Sequence, residues 1–424
     1  MNQSTEQRFF IGRQPILNRK KELYGYELLF RAAGHHQTAQ FESQAQASAS
    51  VISSALSDFG LQDILGDKFG FLNITSNVLH SEMLELLPVE QAVLEILETI
   101  ELDEAVQQRC NELKKLGFKI ALDDHIYDPE HSSFYKVVDI IKVDIMETDP
   151  EELPQIAANL RKYPVQLLAE KVETVEEFDK CIEYGFELFQ GYFFERPIVL
   201  NHRKIDPSGM AMMKLLQQLN ENWDINDIEE TFRENPSLTF NLLKLVNSVM
   251  IGTREKIRNL RHAIMILGVN HLRRWVQLAL YAGKEDQGVN SPLLEMAAVR
   301  GRMMELLMIQ RTGLDRTSDL VESAFLTGIL SLLDALYETP MEHVVESLNL
   351  SDEVAAALLR REGQLGTLLH LAERLEKTDF VAVQQILDQT GITFDQLLAA
   401  QLDAFNWRHG INQDDDDYYY EEDE

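Results

Sequence analysis

The feature that most constrains this chain is a regular alternation over residues 8 to 200. Short β-like apolar runs alternate there with helical patterns. The runs include "LYGYELLF", "FGFLNI", "QAVLEI", "FKIALDD", "VVDIIKVDI", "VQLLAEKV" and "FELFQGYFF". Amphipathic stretches such as "DEAVQQRCNELKKLG" lie between several of them, with apolar residues at three- and four-residue spacing. Strands that alternate with helices predict parallel βα units, in either an open sheet or a closed barrel.

Polar residues with a common chemical character sit at the C-terminal ends of these runs. They are Glu27, Asn73, Glu95, Asp123, Asp124, Lys142, Asp144, Glu170 and Gln190. A single carboxylate at a strand end is ordinarily a cap or a solvated group, but a succession of nine calls for a shared site. In a βα barrel these ends converge on one face, where active sites are built. Carboxylates with one amide oxygen, and no cluster of His or Cys, form a hard-oxygen set suited to Mg²⁺ or Mn²⁺. Such a set suits phosphodiester hydrolysis between two divalent ions, with Lys142 as a charge partner or an orienter of water.

Near "RPIVLNHRKIDPSG" the alternation stops, and Pro197, Pro207 and Gly209 mark a boundary. From Met210 to about Trp407 the pattern is helical. "NPSLTFNLLKLVNSVM" and "SPLLEMAAVRGRMMELLMIQ" each open with Pro beside a capping-type residue. The domain boundaries expected are 1–204, 205–407 and an acidic tail at 408–424. The last eleven residues, "DDDDYYYEEDE", predict a solvated, disordered segment.

Charge and composition narrow the partners. The formal net charge is −31 over 424 residues, which argues against nucleic acid or an anionic membrane surface as partner. Removing the eight carboxylates of the tail still leaves −23. A small anionic ligand remains compatible, because a bound cation can recruit it. The two cysteines, Cys110 and Cys181, predict a reducing compartment without a disulfide framework. The start "MNQSTEQRFF" lacks the pattern of a signal peptide, and no run is long enough to span a bilayer, so a cytoplasmic location is expected.

The motifs resemble those of the EAL domain, a cyclic di-GMP phosphodiesterase family. "RQPILNRKKELYGYELLFR" resembles the family's opening, with its name motif as Glu27-Leu28-Leu29. "NITSNVL", "LEILE", "ALDD", "KVD", "AEKVET" and "QGYFFERP" then follow in the family's order, over roughly residues 8 to 200. The resemblance implies a TIM-like α/β barrel that hydrolyses cyclic di-GMP to pGpG and so favours motility over biofilm. Position by position it implies that Glu27, Asn73, Glu95, Asp123 and Asp124 bind Mg²⁺ or Mn²⁺, with Glu170 in the same network. Lys142, Glu170 and Gln190 would order the attacking water, and Gln14 and Arg31 would touch the dinucleotide. Glu98 would secure the loop after the Asp pair.

Two departures stand out. The family's Asp-Asp-Phe-Gly-Thr-Gly loop reads Asp123-Asp124-His125-Ile126-Tyr127-Asp128 here, and Lys171 replaces the glycine of Glu-Gly-Val-Glu. Loss of glycine exchanges a tight turn for a bulkier chain. The alternative to an enzyme is therefore a non-catalytic signalling protein that binds nucleotide or protein; hydrolysis of a different phosphodiester is a third reading.

The helical half resembles an HDOD domain over about residues 205 to 405, with Asn247, Ser248, Gly252 and Gly268 as punctuation. That family is related to HD metal phosphohydrolases but lacks their catalytic set. Ser331 and Leu332 stand where such hydrolases keep His-Asp. The resemblance implies an all-α, non-catalytic half that engages a protein partner or mediates self-association. His262, His271, His343 and His370 are read as structural or surface residues.

Overall fold

The computed structural model describes residues 9–32, 61–194 and 207–416, with gaps between 222 and 259, between 283 and 291, and at 317, 338 and 349. By internal contacts the chain divides into two compact units, Met1–Arg196 with Leu371–Asn406, and Pro197–His370 with Trp407–Glu424.

The first unit is a closed eight-stranded barrel, which resolves the choice between open sheet and barrel. Its strands are β1 (Phe9–Asn18), β2 (Leu23–Ala32), β3 (Phe69–Ile74), β4 (Ala92–Ile96), β5 (Lys119–Leu122), β6 (Ile140–Asp144), β7 (Gln166–Glu170) and β8 (Leu188–Gln190). From β2 to β8 every pairing is parallel, as the βα alternation requires. β1 is the exception, antiparallel to both β2 and β8. It joins β2 through a tight turn in which the Asn18 side chain accepts from the backbone N–H of Lys20 and Glu22, at 2.8 and 3.0 Å. β1 was not among the apolar runs of the sequence, because Gly12, Arg13, Gln14 and Pro15 interrupt its hydrophobic residues.

Crossover helices between the strands have sequence-encoded ends. α1 (Glu104–Leu116) starts at Asp103, whose carboxylate accepts from Val106 N–H, and stops at Gly117 in the left-handed region. α3 (Val175–Tyr184), which follows α2 (Leu153–Leu160), begins with a full capping box between Thr174 and Glu177.

The barrel interior explains the position of the site. Ile16, Phe71, Val93, Ala121, Ile140, Leu168 and Leu188 form one buried layer, one residue from each of seven strands. Side chains in a strand return to the same face every second residue. Two residues beyond this layer stand Gln14 on antiparallel β1, then Asn73, Glu95, Asp123, Lys142, Glu170 and Gln190. The apolar layer therefore acts as a floor, and the polar residues must face inward above it.

Two sequence expectations are corrected. Residues 371–406 were assigned to the helical domain but belong to the barrel unit. The reason is β1, against which they pack. Phe10 stacks on Phe380 of α7 (Phe380–Thr390) at 5.6 Å and meets Phe394 of α8 (Phe394–Asp416) at 4.9 Å. Gln401 donates to the Ile11 carbonyl at 2.9 Å, in a buried hydrogen bond, and the Arg13 guanidinium lies 4.0 Å from the Phe405 ring centroid. The acidic tail also begins later than expected, since α8 remains helical to Asp416. Within the second unit Arg408 is buried against Glu295 at 3.0 Å, and residues 417–424 lie outside the described set.

The second unit is helical throughout its described residues. Two of its helices, α5 (Pro292–Thr312) and α6 (Asp319–Leu330), cross closely at two glycines; α4 (Val269–Ala282) precedes them. A Cβ on Gly328 would lie 2.5 Å from Gly301 Cα, so only glycine permits this approach. Glu305 on α5 is wholly buried and is offset by Arg274 and Arg302 at 2.7 Å and Arg316 at 3.1 Å. Among the described helices, none is long and apolar enough to cross a membrane.

Candidate active site at the C-terminal end of the barrel

Lys142 is the centre of the site. It is 1% exposed, and its ammonium lies 2.7 Å from Asp123 Oδ1, 2.8 Å from Glu95 Oε1, 2.9 Å from Glu170 Oε1 and 3.6 Å from Glu27 Oε2. Burial alone would push Lys142 toward neutrality, but these four carboxylates outweigh it and hold the amine well above its usual range.

The amides around Glu27 turn their nitrogens toward it. Gln190 Nε2 donates to Glu27 Oε2 at 2.6 Å and to Gln14 Oε1 at 2.8 Å, and Asn73 Nδ2 donates to Glu27 Oε1 at 3.1 Å. Burial raises the Glu27 carboxyl, yet Lys142, Gln190 and Asn73 together bring it below the usual value. The other carboxyls go the opposite way. Burial drives Glu95 well up and Glu170 up to about 8, and raises Asp123, in each case against the pull of Lys142.

This network leaves oxygens without hydrogen-bond partners. Glu95 Oε2, Glu170 Oε2, Asn73 Oδ1 and Gln190 Oε1 are all buried and unsatisfied. Buried acceptors of this kind are costly unless something supplies positive charge or a donor. Four carboxylates surround one ammonium, so three formal negative charges remain unbalanced. All the unsatisfied atoms are hard oxygens, and their chemistry fits Mg²⁺ or Mn²⁺.

The Asp pair has a second association. Carboxylate oxygens of Glu98, Asp123 and Asp124 lie within 4.8 Å of one another. Glu98, expected to secure the loop, is thus placed directly beside the pair. Glu27, Glu95 and Glu170 are instead held apart around the Lys142 ammonium. Asp124 is exposed and adopts φ +42°, a region that Asp tolerates better than most residues.

The other sequence candidates resolve as follows. Asp144 is buried but turns to different partners, accepting from Met146 and Glu147 N–H and pairing with Lys171. Lys171 keeps the left-handed backbone that glycine would take, at φ +56°. The side chain of Arg31 lies outside the described set, as do Asn247, Ser248, Gly252 and the His262 side chain. Gly191, next to Gln190, has φ +145°, and a Cβ there would lie 2.0 Å from the Val172 carbonyl oxygen.

The loop after the Asp pair contains a residue that the motifs did not mark. Tyr135 is fully buried, and its hydroxyl bonds His125 Nε2 at 2.8 Å and both N and O of Asp128 at 2.9 Å. Burial lowers His125 to about 4 and raises Tyr135 to about 12. The loop borders a cleft of about 630 Å³, whose lining includes Glu98, Asp123, Asp124, Tyr127 and His131. In "SSFYKVV" Tyr135 sits beside Phe134 and looks like an ordinary core aromatic, which conceals its role.

In the helical unit, Ser331 and Leu332 are buried. Arg300 donates to Ser331 Oγ at 3.0 Å, and Ser331 Oγ donates to the Gly328 carbonyl. His271 and His343 are exposed and His370 is half-buried.

Residues 2–197 match the EAL domain family, and residues 207–337 match the HDOD domain family. Cyclic di-GMP phosphodiesterase CdgJ of Vibrio cholerae is 32% identical over 410 residues, 95% of this chain and 93% of its own. The chain is an EAL–HDOD protein. An uncharacterized Bacillus subtilis protein, YuxH, is 29% identical over 412 residues, 95% of this chain and 99% of its own. Among solved structures, an EAL domain protein from Listeria monocytogenes is 22% identical, with a TM-score of 0.36, covering 45% of this chain and 88% of that one. The family assignment agrees with the motif resemblance, and the barrel and helical units agree with the fold class it implied.

Proposed function

We propose that this EAL–HDOD protein hydrolyses one phosphodiester bond of cyclic di-GMP to give pGpG. The observation that carries this reading is the buried, unsatisfied oxygen cage around Lys142 in a chain of the EAL family. Glu27, Asn73, Glu95, Asp123 and Asp124 would hold two divalent cations, Mg²⁺ or Mn²⁺, with Glu170 in the same network. When bound, these ions would neutralise phosphate charge and stabilise the attacking and leaving oxygens.

The chain's own residues have separate tasks. Lys142 balances the carboxylates and would help to hold the attacking water. Gln190 bonds Glu27 and Gln14 through its nitrogen and leaves its oxygen to orient that water. Gln14 and Arg31 would contact the dinucleotide. The helical unit would receive a protein partner or a second copy of the chain, and lower cyclic di-GMP would favour motility over biofilm.

The non-catalytic reading rested on the altered loop. Against it, Asp123 keeps its 2.7 Å contact with Lys142, and the loop is held by specific hydrogen bonds. The deciding experiment separates products after incubation of cyclic di-GMP with Mn²⁺. The parent should yield pGpG, whereas Glu27→Ala, or the parent in EDTA, should not. Tight binding of intact nucleotide without pGpG would establish the signalling reading instead.

A further inference from the structure

The family's glycine loop gives way here to His125-Ile126-Tyr127-Asp128, so a different device must hold the chain beyond Asp124. Its centre is the Tyr135 hydroxyl, which has one proton and three partners. A phenol can donate once and accept twice. It donates to the Asp128 carbonyl and accepts from Asp128 N–H, both at 2.9 Å. The third contact, at 2.8 Å, must then be donated by His125, so its Nε2 carries a proton.

The rest of the loop is tied to the same point. His125 N–H donates to the Lys142 carbonyl at 2.9 Å, which fixes the residue after Asp124 to the end of β6. Asp128 Oδ1 accepts from Glu130 N–H at 2.9 Å and starts the turn that leads back to Tyr135. Tyr127 stacks on the Tyr135 ring at 5.9 Å, and Tyr163 meets it edge-on at 5.1 Å. Both ends of the loop therefore converge on one buried oxygen.

We propose that Tyr135 is a positioning residue for the Asp123–Asp124 part of the metal-binding set, its hydroxyl replacing the geometric restraint of the glycines. This rests on the metal-binding reading of the site given above. Residues that orient metal ligands from behind commonly change metal affinity by 10–100-fold when removed.

The test uses the full-length chain. Mn²⁺ binding without nucleotide is measured by titration calorimetry for the parent, Tyr135→Phe, His125→Ala and the double variant, with hydrogen exchange over residues 124–131 in each. Tyr163→Phe removes a neighbouring hydroxyl that makes no bond to the loop and serves as the control. Tyr135→Phe should bind Mn²⁺ about tenfold more weakly, with faster exchange in the loop and unchanged exchange in the barrel strands. The double variant should lose little more than either single one, because both remove the same link. Tyr163→Phe should bind as the parent does.

Three results would overturn the proposal. Faster loop exchange with unchanged Mn²⁺ affinity would leave Tyr135 a purely structural role. Faster exchange throughout the barrel would attribute the loss to general destabilisation. A parent that binds no Mn²⁺ would remove the metal site itself and the positioning role with it, a failure distinguished by the parent alone.

Discussion

Replacing Lys142 with Met tests the electrostatic account of the site without any substrate. The substitution approximately conserves length but removes the cation among Glu27, Glu95, Asp123 and Glu170. A unit-charge pair at 4 Å and an effective dielectric of 20 is worth about 4 kcal/mol. Removing one side of a buried ionic set typically costs about 3–5 kcal/mol, because the remaining charges are left uncompensated. Protonation offsets part of this. Burial already raises Glu95, Asp123 and Glu170, the last to about 8. A carboxyl whose folded pKa exceeds its unfolded value favours the fold when protonated, and that contribution disappears as pH rises through the folded value. The defect should therefore be small near pH 5 and largest above pH 8.

The readout must report on the barrel. Trp223, Trp275 and Trp407 all fall in the helical unit, so tryptophan fluorescence would miss the event. Hydrogen exchange of β6 and β7 amides in EDTA reports it directly. At one power of ten per 1.4 kcal/mol, protection at pH 8 should fall by roughly two to three and a half powers of ten. Saturating Mn²⁺ should return most of it by replacing the missing charge. Unchanged protection, or a loss equal at pH 5 and pH 8, would refute the reasoning.

Other perturbations separate the parts of the account. Glu27→Gln removes a charge while keeping the shape, and should lower pGpG formation by at least about a thousandfold with circular dichroism unchanged; near-parent turnover would remove Glu27 from the ligand set. Gly191→Ala forces a Cβ to within 2.0 Å of the Val172 carbonyl oxygen at φ +145°. It should cost about 3 kcal/mol or more, seen as a lower denaturation midpoint, and an unchanged midpoint would contradict the geometry. Gln401→Leu leaves the buried Ile11 carbonyl without its donor. It should lower barrel protection by about 1–3 kcal/mol, although residue 401 lies far from the barrel in sequence; no effect on β1 exchange would oppose the assignment of 371–406 to this unit. Burial raises Cys110 to about 11 and Cys181 to about 12. At pH 8 roughly one thiol in a thousand or fewer would be ionised, so a disulfide reagent should label them only after denaturation, and rapid native labelling would contradict that burial.

Much of the site was legible because β-structure has a period of two. Phe71, Val93, Ala121, Ile140, Leu168 and Leu188 each precede a polar residue by two positions, and that pattern is visible in the linear sequence. The parallel order of β2 to β8 followed from the alternation with helices. β1 was not legible, since a strand that carries Gly12, Arg13, Gln14 and Pro15 has no clean alternation; its burial depends on α7 and α8, nearly 400 residues away. The same long-range packing hid the membership of 371–406 in the barrel unit. Tyr135 was missed for a related reason, because a tyrosine next to a phenylalanine looks like core until its hydroxyl partners are known. Lys171 could be recognised as a departure, but not its pairing with Asp144, which comes from the preceding strand.

The most direct test of the central claim is the number of Mn²⁺ ions retained per chain, measured by native mass spectrometry with cyclic di-GMP bound. The account predicts two for the parent and fewer for Glu95→Gln. A parent that binds the nucleotide with no metal, or with a single ion unaffected by Glu95→Gln, would contradict it.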